Sequence, residues 1–141
     1  MVKNILLACV LTAAGGYLLG SILFGVLISK VMYNDDVRNH GSGNAGLTNF
    51  YRTFGGPLTA AVILSDVVKA VLAVLFSTWI FGILSPQLVP FGKYWAGMFC
   101  LLGHMFPCMF HFKGGKGILS GGTIVLMLDW RVALVAWGLF V

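Results

Sequence analysis

Long apolar runs alternate with short polar ones along this chain, and the apolar runs have the length of a bilayer. Residues 5–29 carry no charged side chain over 25 positions, where about 20 suffice to cross a hydrocarbon core. This predicts a first transmembrane helix over 5–29. A polar loop follows over 30–56. Pro57 then suits the first turn of a helix and opens a second span to about residue 84. Ser85, Pro86, Gln87 and Pro90 predict a turn, and 91–110 a third span. Residues 111–117 read His-Phe-Lys-Gly-Gly-Lys-Gly, a short basic loop. The apolar stretch 118–128 would make a helix of only about 16 Å, too short to cross alone. Asp129, Trp130 and Arg131 interrupt, and 132–141 is apolar again. That final run is about half a span, so the chain is expected to be the first part of a larger bundle.

Small residues sharpen this picture. Gly16 and Gly20 stand four apart, as do Ser21 and Gly25, a spacing that lets membrane helices approach closely. The predicted fold class is therefore all-α, a polytopic transmembrane helical bundle, forming one domain over 1–141.

Composition agrees. The chain is 59% hydrophobic and 9% charged, against about 25% charged in soluble domains. The net charge is +5, from nine Lys and Arg against four acidic residues, all Asp. The cations gather at segment ends, which points to membrane topology and anionic ligands rather than nucleic acid. Cys9, Cys100 and Cys108 lie in apolar segments with neither a disulfide nor a metal-ligand pattern, and read as small apolar residues. The first apolar run is too long for a signal-peptide core of about 7–15 residues. Lys30, Arg38 and Arg52 in one loop and Lys113 and Lys116 in the other place both loops on the cytoplasmic side. The two spans between them allow this, and the N-terminus then lies outside. Lys93, near the outer turn, runs against the trend.

Candidate chemistry sits in those two loops. Residues 41–52 read Gly-Ser-Gly-Asn-Ala-Gly-Leu-Thr-Asn-Phe-Tyr-Arg. Gly41, Gly43 and Gly46 free the backbone to approach a ligand and to aim several N–H groups one way. Ser42, Asn44, Thr48 and Asn49 add hydrogen-bonding groups, and Arg52 a planar cation suited to phosphate. In the second loop Lys113, Gly114, Gly115, Lys116 and Gly117 precede an apolar helix, a helix start that suits an anion or a basic anchor for lipid headgroups. The pattern is not a Walker A loop, because Gly117 follows Lys116 where Ser or Thr is needed.

Three further residues bear on chemistry. Asp66 and Lys69 share one face of the second span. They read as supporting the site, with Lys69 turned toward the anion pocket, against the alternative of a self-neutralising pair that only orients the helix. His104, on a face with Gly97, Leu101 and Cys108, has no acid near it in sequence, although Asp66 could approach in space. It reads as a packed, hydrogen-bonded residue rather than a general base. Ser42 has only His40 nearby, two residues earlier, and so reads as a hydrogen-bond donor to phosphate rather than a nucleophile.

Taken together, four blocks resemble one family. These are Leu19-Gly20-Ser21-Ile22-Leu23-Phe24-Gly25, the 41–49 run with Arg52, Gly103-His104-Met105-Phe106-Pro107, and Phe112 through Gly117. In this order they are similar to the bacterial acyl-phosphate:glycerol-3-phosphate acyltransferases, the PlsY family. The resemblance covers essentially all of this chain but about two-thirds of a family member. It implies a seven-helix enzyme of the bacterial inner membrane with its active site toward the cytoplasm. That enzyme moves an acyl group from acyl phosphate to the 1-hydroxyl of glycerol-3-phosphate, giving lysophosphatidic acid for phospholipid synthesis. It implies no metal or organic cofactor, and a soluble enzyme that supplies acyl phosphate as functional partner. Ser42, Arg52 and Lys116 would then carry the reaction. Gly41, Gly43, Asn44, Gly46, Thr48 and Asn49 would contact substrate or phosphate in the first loop. Lys113, Gly114, Gly115 and Gly117 would do so in the second, with Lys69 and His104 behind them. Acyl phosphate is already activated, so positioning and charge stabilisation would supply most of the rate.

The chain departs from the family pattern at Leu23, at His111 and at Ile118-Leu119-Ser120. The family's later serine loop and its C-terminal block with His and Asn lie outside these residues, so the chain by itself is expected to lack part of the site. Two readings compete. A transporter or channel component for an anionic solute would use the same loops with Asp66 and Lys69. A membrane anchor subunit would need none of Asn44, Asn49 or Arg52.

Overall fold

A computed structural model describes residues 1–140. All regular structure among them is helical. Helix α1 (Val2–Ser21) and α2 (Phe24–Tyr33) form one long apolar stretch, and α4 (Leu58–Leu84) another. Both are long and apolar enough to cross a membrane. The shorter α5 (Val89–Met105) follows α4 through a 3-10 turn over Pro86–Leu88. Short helices α6 (Ile118–Leu128) and α7 (Trp130–Phe140) end the described chain.

Small residues decide how closely the helices pack. A Cβ on Gly16 would stand 2.7 Å from the Ala96 carbonyl oxygen, and one on Gly20 or Gly103 would collide with the carbonyl of Cys100 or Tyr17. This is the close approach of α1 and α5 that the glycine spacing predicts. Polar groups inside the bundle find partners there. Trp95 Nε1 donates to the Cys9 carbonyl at 2.9 Å, Tyr17 Oη to Phe106 at 2.6 Å, and Ser77 Oγ to Gly92 at 2.6 Å. Helix α4 is central and packs on α1, α2, α3 (Leu47–Phe54), α5 and α6.

Three boundaries differ from the hydrophobic pattern. The first span is not continuous over 5–29, because Ile22 (φ −75°, ψ 106°) and Leu23 (φ −93°, ψ 90°) are extended and separate α1 from α2. Hydropathy misses this break because both residues are apolar. The third span ends at Met105 rather than 110, since Phe106 precedes Pro107 and leaves the helical region (φ −127°, ψ 64°). The polar loop 30–56 also contains structure of its own, a 3-10 turn at Val37–Asn39 and α3. Phe50 of α3 is fully buried with Leu23, Val26, Val37, Ala45 and Val62, which anchors that loop to the bundle.

Candidate functional site

The two glycine-rich loops do meet at one end of the bundle. Between them lies a cavity of about 440 Å³, walled by Ser42, Asn44, Gly46, Leu47, Thr48, Asn49 and Arg52 on one side and Lys116, Gly117, Ile118 and Leu119 on the other. Asp66 and His104 reach it from inside the bundle, and Trp137 of α7 closes the rim. A smaller apolar groove of about 180 Å³ adjoins it, sharing Ile118 and Trp137 and adding Gly122, Val125 and Ala136. The site thus joins a polar, cationic chamber to a greasy one.

Asn49 builds the first wall. Its Nδ2 lies 2.9–3.0 Å from the carbonyls of Val37, His40 and Asn44, and its Oδ1 accepts the Ser42 N–H at 3.1 Å. A buried amide so engaged is a scaffold for the loop, which revises the expectation that it reaches toward substrate. Gly41 (φ 54°) passes directly over that amide, where a Cβ would strike Oδ1. Asn44 Oδ1 accepts the Gly46 N–H at 2.8 Å, turning the chain into α3. Gly41 and Gly43 shape the loop from behind and do not line the cavity.

The second wall divides its residues differently from expectation. The Gly115 N–H donates to the His104 carbonyl at 3.0 Å, and the His104 ring occupies the place of a Cβ on Gly115. Gly114 packs against the carbonyls of His104 and Met105. These two glycines therefore seat the loop on the end of α5, and the Gly115 N–H is held by α5 rather than left for a phosphate. Lys113 is exposed and outside the cavity wall. Lys116 and Gly117 do line it, and Gly117 (φ 73°) adopts the left-handed turn that starts α6.

No side chain caps the start of α3 or of α6. Both helix N-termini, with their unsatisfied N–H groups and positive dipole ends, open into the same cavity. Arg52 and Lys116 stand beside them. Among the described residues neither side chain has a hydrogen bond or ion pair, and the hydroxyls of Ser42 and Thr48 have none either. Four helix-start or cationic elements with unfilled valence therefore surround one space, an arrangement that attracts phosphate.

Deeper in the bundle the charges are ion-paired with one another, although Asp66 Oδ1 accepts no hydrogen bond. Lys69 Nζ lies 2.8 Å from Asp66 Oδ1, 2.8 Å from His104 Nδ1 and 2.9 Å from the Ile22 carbonyl, with Gly20 O at 3.4 Å. The Ile22 and Gly20 carbonyls belong to the break between α1 and α2, so the ammonium supplies the donors that the broken helix lacks. Lys69 is 2% exposed and does not face the cavity, which corrects the expectation that it binds the anion there. Asp66 does approach His104, with Oδ1 4.0 Å from Nδ1.

Arg38 has a role that its place in the sequence conceals. Its Nε and Nη2 grip both oxygens of Asp36 at 3.0 and 2.7 Å, while Nη1 donates to the carbonyls of Phe110 and Lys113 at 3.1 and 3.3 Å. One guanidinium thus staples the first loop to the second. Hydrogen bonding from Arg38 holds the Asp36 carboxyl well below the usual carboxylate range, and Asp36 raises Arg38 in turn. His40 Nε2, 2.6 Å from Asp35 Oδ2, lowers Asp35 in the same way and is directed away from Ser42's chemistry. Cys9, Cys100 and Cys108 are free thiols. Among the described residues no group of three or more His, Cys, Asp or Glu could hold a metal ion.

Residues 10–141 match the family model described as glycerol-3-phosphate acyltransferase. A glycerol-3-phosphate acyltransferase of Mesorhizobium japonicum is 42% identical over 126 residues, covering 89% of this chain and 60% of the relative. One from Pseudomonas entomophila is 39% identical, covering 89% and 63%. The fold is similar to a crystal structure of PlsY (YgiH), an integral membrane glycerol 3-phosphate acyltransferase, in its glycerol 3-phosphate form. That comparison has a TM-score of 0.76 and 36% identity, covering 92% of this chain and 62% of the other. The lysphosphatidic acid form of the same protein gives a TM-score of 0.72 at 34% identity. The chain thus spans a little under two-thirds of the length of these relatives, and the polytopic all-α bundle expected from its sequence is shared with an integral membrane protein.

Proposed function

The chain belongs to the glycerol-3-phosphate acyltransferase family, and on that premise we propose that its cavity receives two phosphorylated substrates, glycerol-3-phosphate and an acyl phosphate. The acyl group passes to the 1-hydroxyl of glycerol-3-phosphate as the acyl–phosphate bond breaks, and lysophosphatidic acid and inorganic phosphate leave. The observation that carries this reading is the convergence of two uncapped helix starts, Arg52 and Lys116 on one cavity that continues into an apolar groove. A phosphate fits the first part and an acyl chain the second. Ser42 and Thr48 donate to substrate oxygens, and Arg52 and Lys116 bind phosphate and stabilise charge as the acyl–phosphate bond breaks. His104 and Asp66 lie at the cavity floor, both in contact with Lys69. The proton of the attacking hydroxyl therefore leaves through a substrate phosphate oxygen. Lys113, Gly114, Gly115, Gly41, Gly43 and Asn49 hold the two walls in shape.

The bacterial inner membrane, with the cavity toward the cytoplasm, suits the basic loops. A soluble enzyme that makes acyl phosphate is the implied donor partner. The transporter reading is weaker, since the buried ions at the bundle centre are mutually engaged rather than strung along a path.

The test uses the protein in lipid nanodiscs with glycerol-3-phosphate and palmitoyl phosphate. With the remaining third of a relative's length added after residue 141, mass spectrometry should find lysophosphatidic acid, with palmitoyl-CoA inactive as donor. Tight glycerol-3-phosphate binding that survives Arg52→Ala and Lys116→Ala together would overturn the assignment of the cavity.

A further inference from the structure

The buried cluster behind the cavity has a chemical consequence of its own. An ammonium has three protons to donate and accepts none. Lys69 Nζ donates to the carbonyls of Ile22 and Gly20 at 2.9 and 3.4 Å, lies 2.8 Å from His104 Nδ1, and is ion-paired to Asp66 Oδ1 at 2.8 Å without a hydrogen bond to it. His104 Nδ1 must then present a lone pair. A neutral imidazole with a bare Nδ1 carries its proton on Nε2. Nε2 has no hydrogen-bond partner among the described residues, although His104 is only 4% exposed. It sits against Gly115, where no side chain intervenes, and the residue lines the cavity.

From this we infer that Lys69 is a positioning residue that locks His104 in the Nε2–H tautomer, so that an N–H donor open to the cavity faces an anionic or carbonyl oxygen of the ligand there. The tautomer follows from the geometry of the cluster alone, while the identity of the ligand rests on the acyltransferase reading. The carboxylate of Asp66 has two effects in this arrangement. It neutralises Lys69, and its nearness to the same ammonium keeps the cation from turning toward the cavity. The break at Ile22 and Leu23 is part of the lock, since the Gly20 and Ile22 carbonyls beside it take the ammonium's other two protons. Gly115 is the other part, because any side chain there would displace the ring.

The three histidines make the test direct. With His40→Gln and His111→Asn, only His104 remains, and 15N NMR of histidine-labelled protein in nanodiscs reads its two nitrogens separately. The expected result at neutral pH is a bare Nδ1 and a protonated Nε2, with the Nε2–H signal moving when glycerol-3-phosphate is added. Lys69→Met should release the lock and give a mixture of tautomers. A protonated Nδ1, whether in the other tautomer or in an imidazolium, would overturn the inference. So would a wild-type spectrum that Lys69→Met leaves unchanged. His104→Phe, which keeps a ring but no donor, should weaken glycerol-3-phosphate binding roughly tenfold or more, with His104→Gln recovering part of the loss. Undiminished binding in folded His104→Phe would refute the donor role. If the tautomer is as expected but glycerol-3-phosphate binds nowhere, the substrate assignment fails and the lock stands.

Discussion

Two sets of cations lie within one small bundle and have opposite circumstances. Lys69 is buried and surrounded by acceptors, an anion and two carbonyls of a broken helix among them. Arg52 and Lys116, a short way out along the same cavity, are exposed and have no protein partner among the described residues. Charge in a bilayer is costly unless paired, so the inner cation is retained only with its partners. At the membrane surface water can solvate the outer pair until an anion arrives. The difference separates residues that hold the site from residues that wait for a ligand, and it does so without reference to residue type.

The sharpest way to break this contrast is to remove one inner partner. Asp66→Ala or Lys69→Met leaves a lone buried charge and should destabilise the fold by about 3–5 kcal/mol, read as a large drop in thermal midpoint in detergent. Removing both charges together, Asp66→Asn with Lys69→Met, should restore much of that loss. A double variant no more stable than the single ones would argue against mutual neutralisation.

Asn49→Ala comes next. It deletes an amide that four loop groups share, and should cost roughly 1–3 kcal/mol and loosen residues 37–46, visible as faster amide hydrogen exchange there. Arg38→Gln should act more weakly on stability, about 1–2 kcal/mol, while uncoupling the two loops, so that exchange rises in both together.

The outer cations should show the reverse signature. Arg52→Ala should weaken glycerol-3-phosphate binding by an order of magnitude or more with little change in thermal midpoint, and Arg52→Lys should restore charge but not the bidentate fit. A large stability loss in Arg52→Ala would place it with the inner set.

Acid gives the smallest effect. Asp36 and Asp35 have lowered values in the folded protein, so the stability they contribute is fully present above the ordinary carboxylate value of about 4 and is lost as pH falls below it. The loops should loosen below about pH 4, followed by exchange in 35–40. Asp36→Asn should flatten that profile.

Some of this is legible in the residue string and some is not. Gly16 and Gly20 announce a helix contact, and the contact is with α5. Residues 118–128 announce a short helix, and α6 has those bounds. The two basic loops announce a shared face, and they share a cavity. By contrast, the apolar Ile22-Leu23 step gives no sign of a break. Arg38 looks like a topology marker and is the link between loops. Asn49 looks like a ligand contact and is a loop scaffold. Gly115 looks like part of a phosphate cradle, yet its N–H is bonded to the end of α5 and the His104 ring packs against it.

The line between these groups has a physical cause. Hydrophobic period, span length, charge bias and small-residue spacing are local properties, written in residues a few positions apart. The sequence by itself therefore determined a polytopic helical bundle and which segments face one end. Lys69 and His104 stand 35 positions apart, and Arg38 reaches a carbonyl 75 positions away. Which donor meets which acceptor over such separations depends on how the helices pack. Only the tertiary structure decided that the buried lysine serves a broken helix and a histidine, while Arg52 and Lys116 line the cavity.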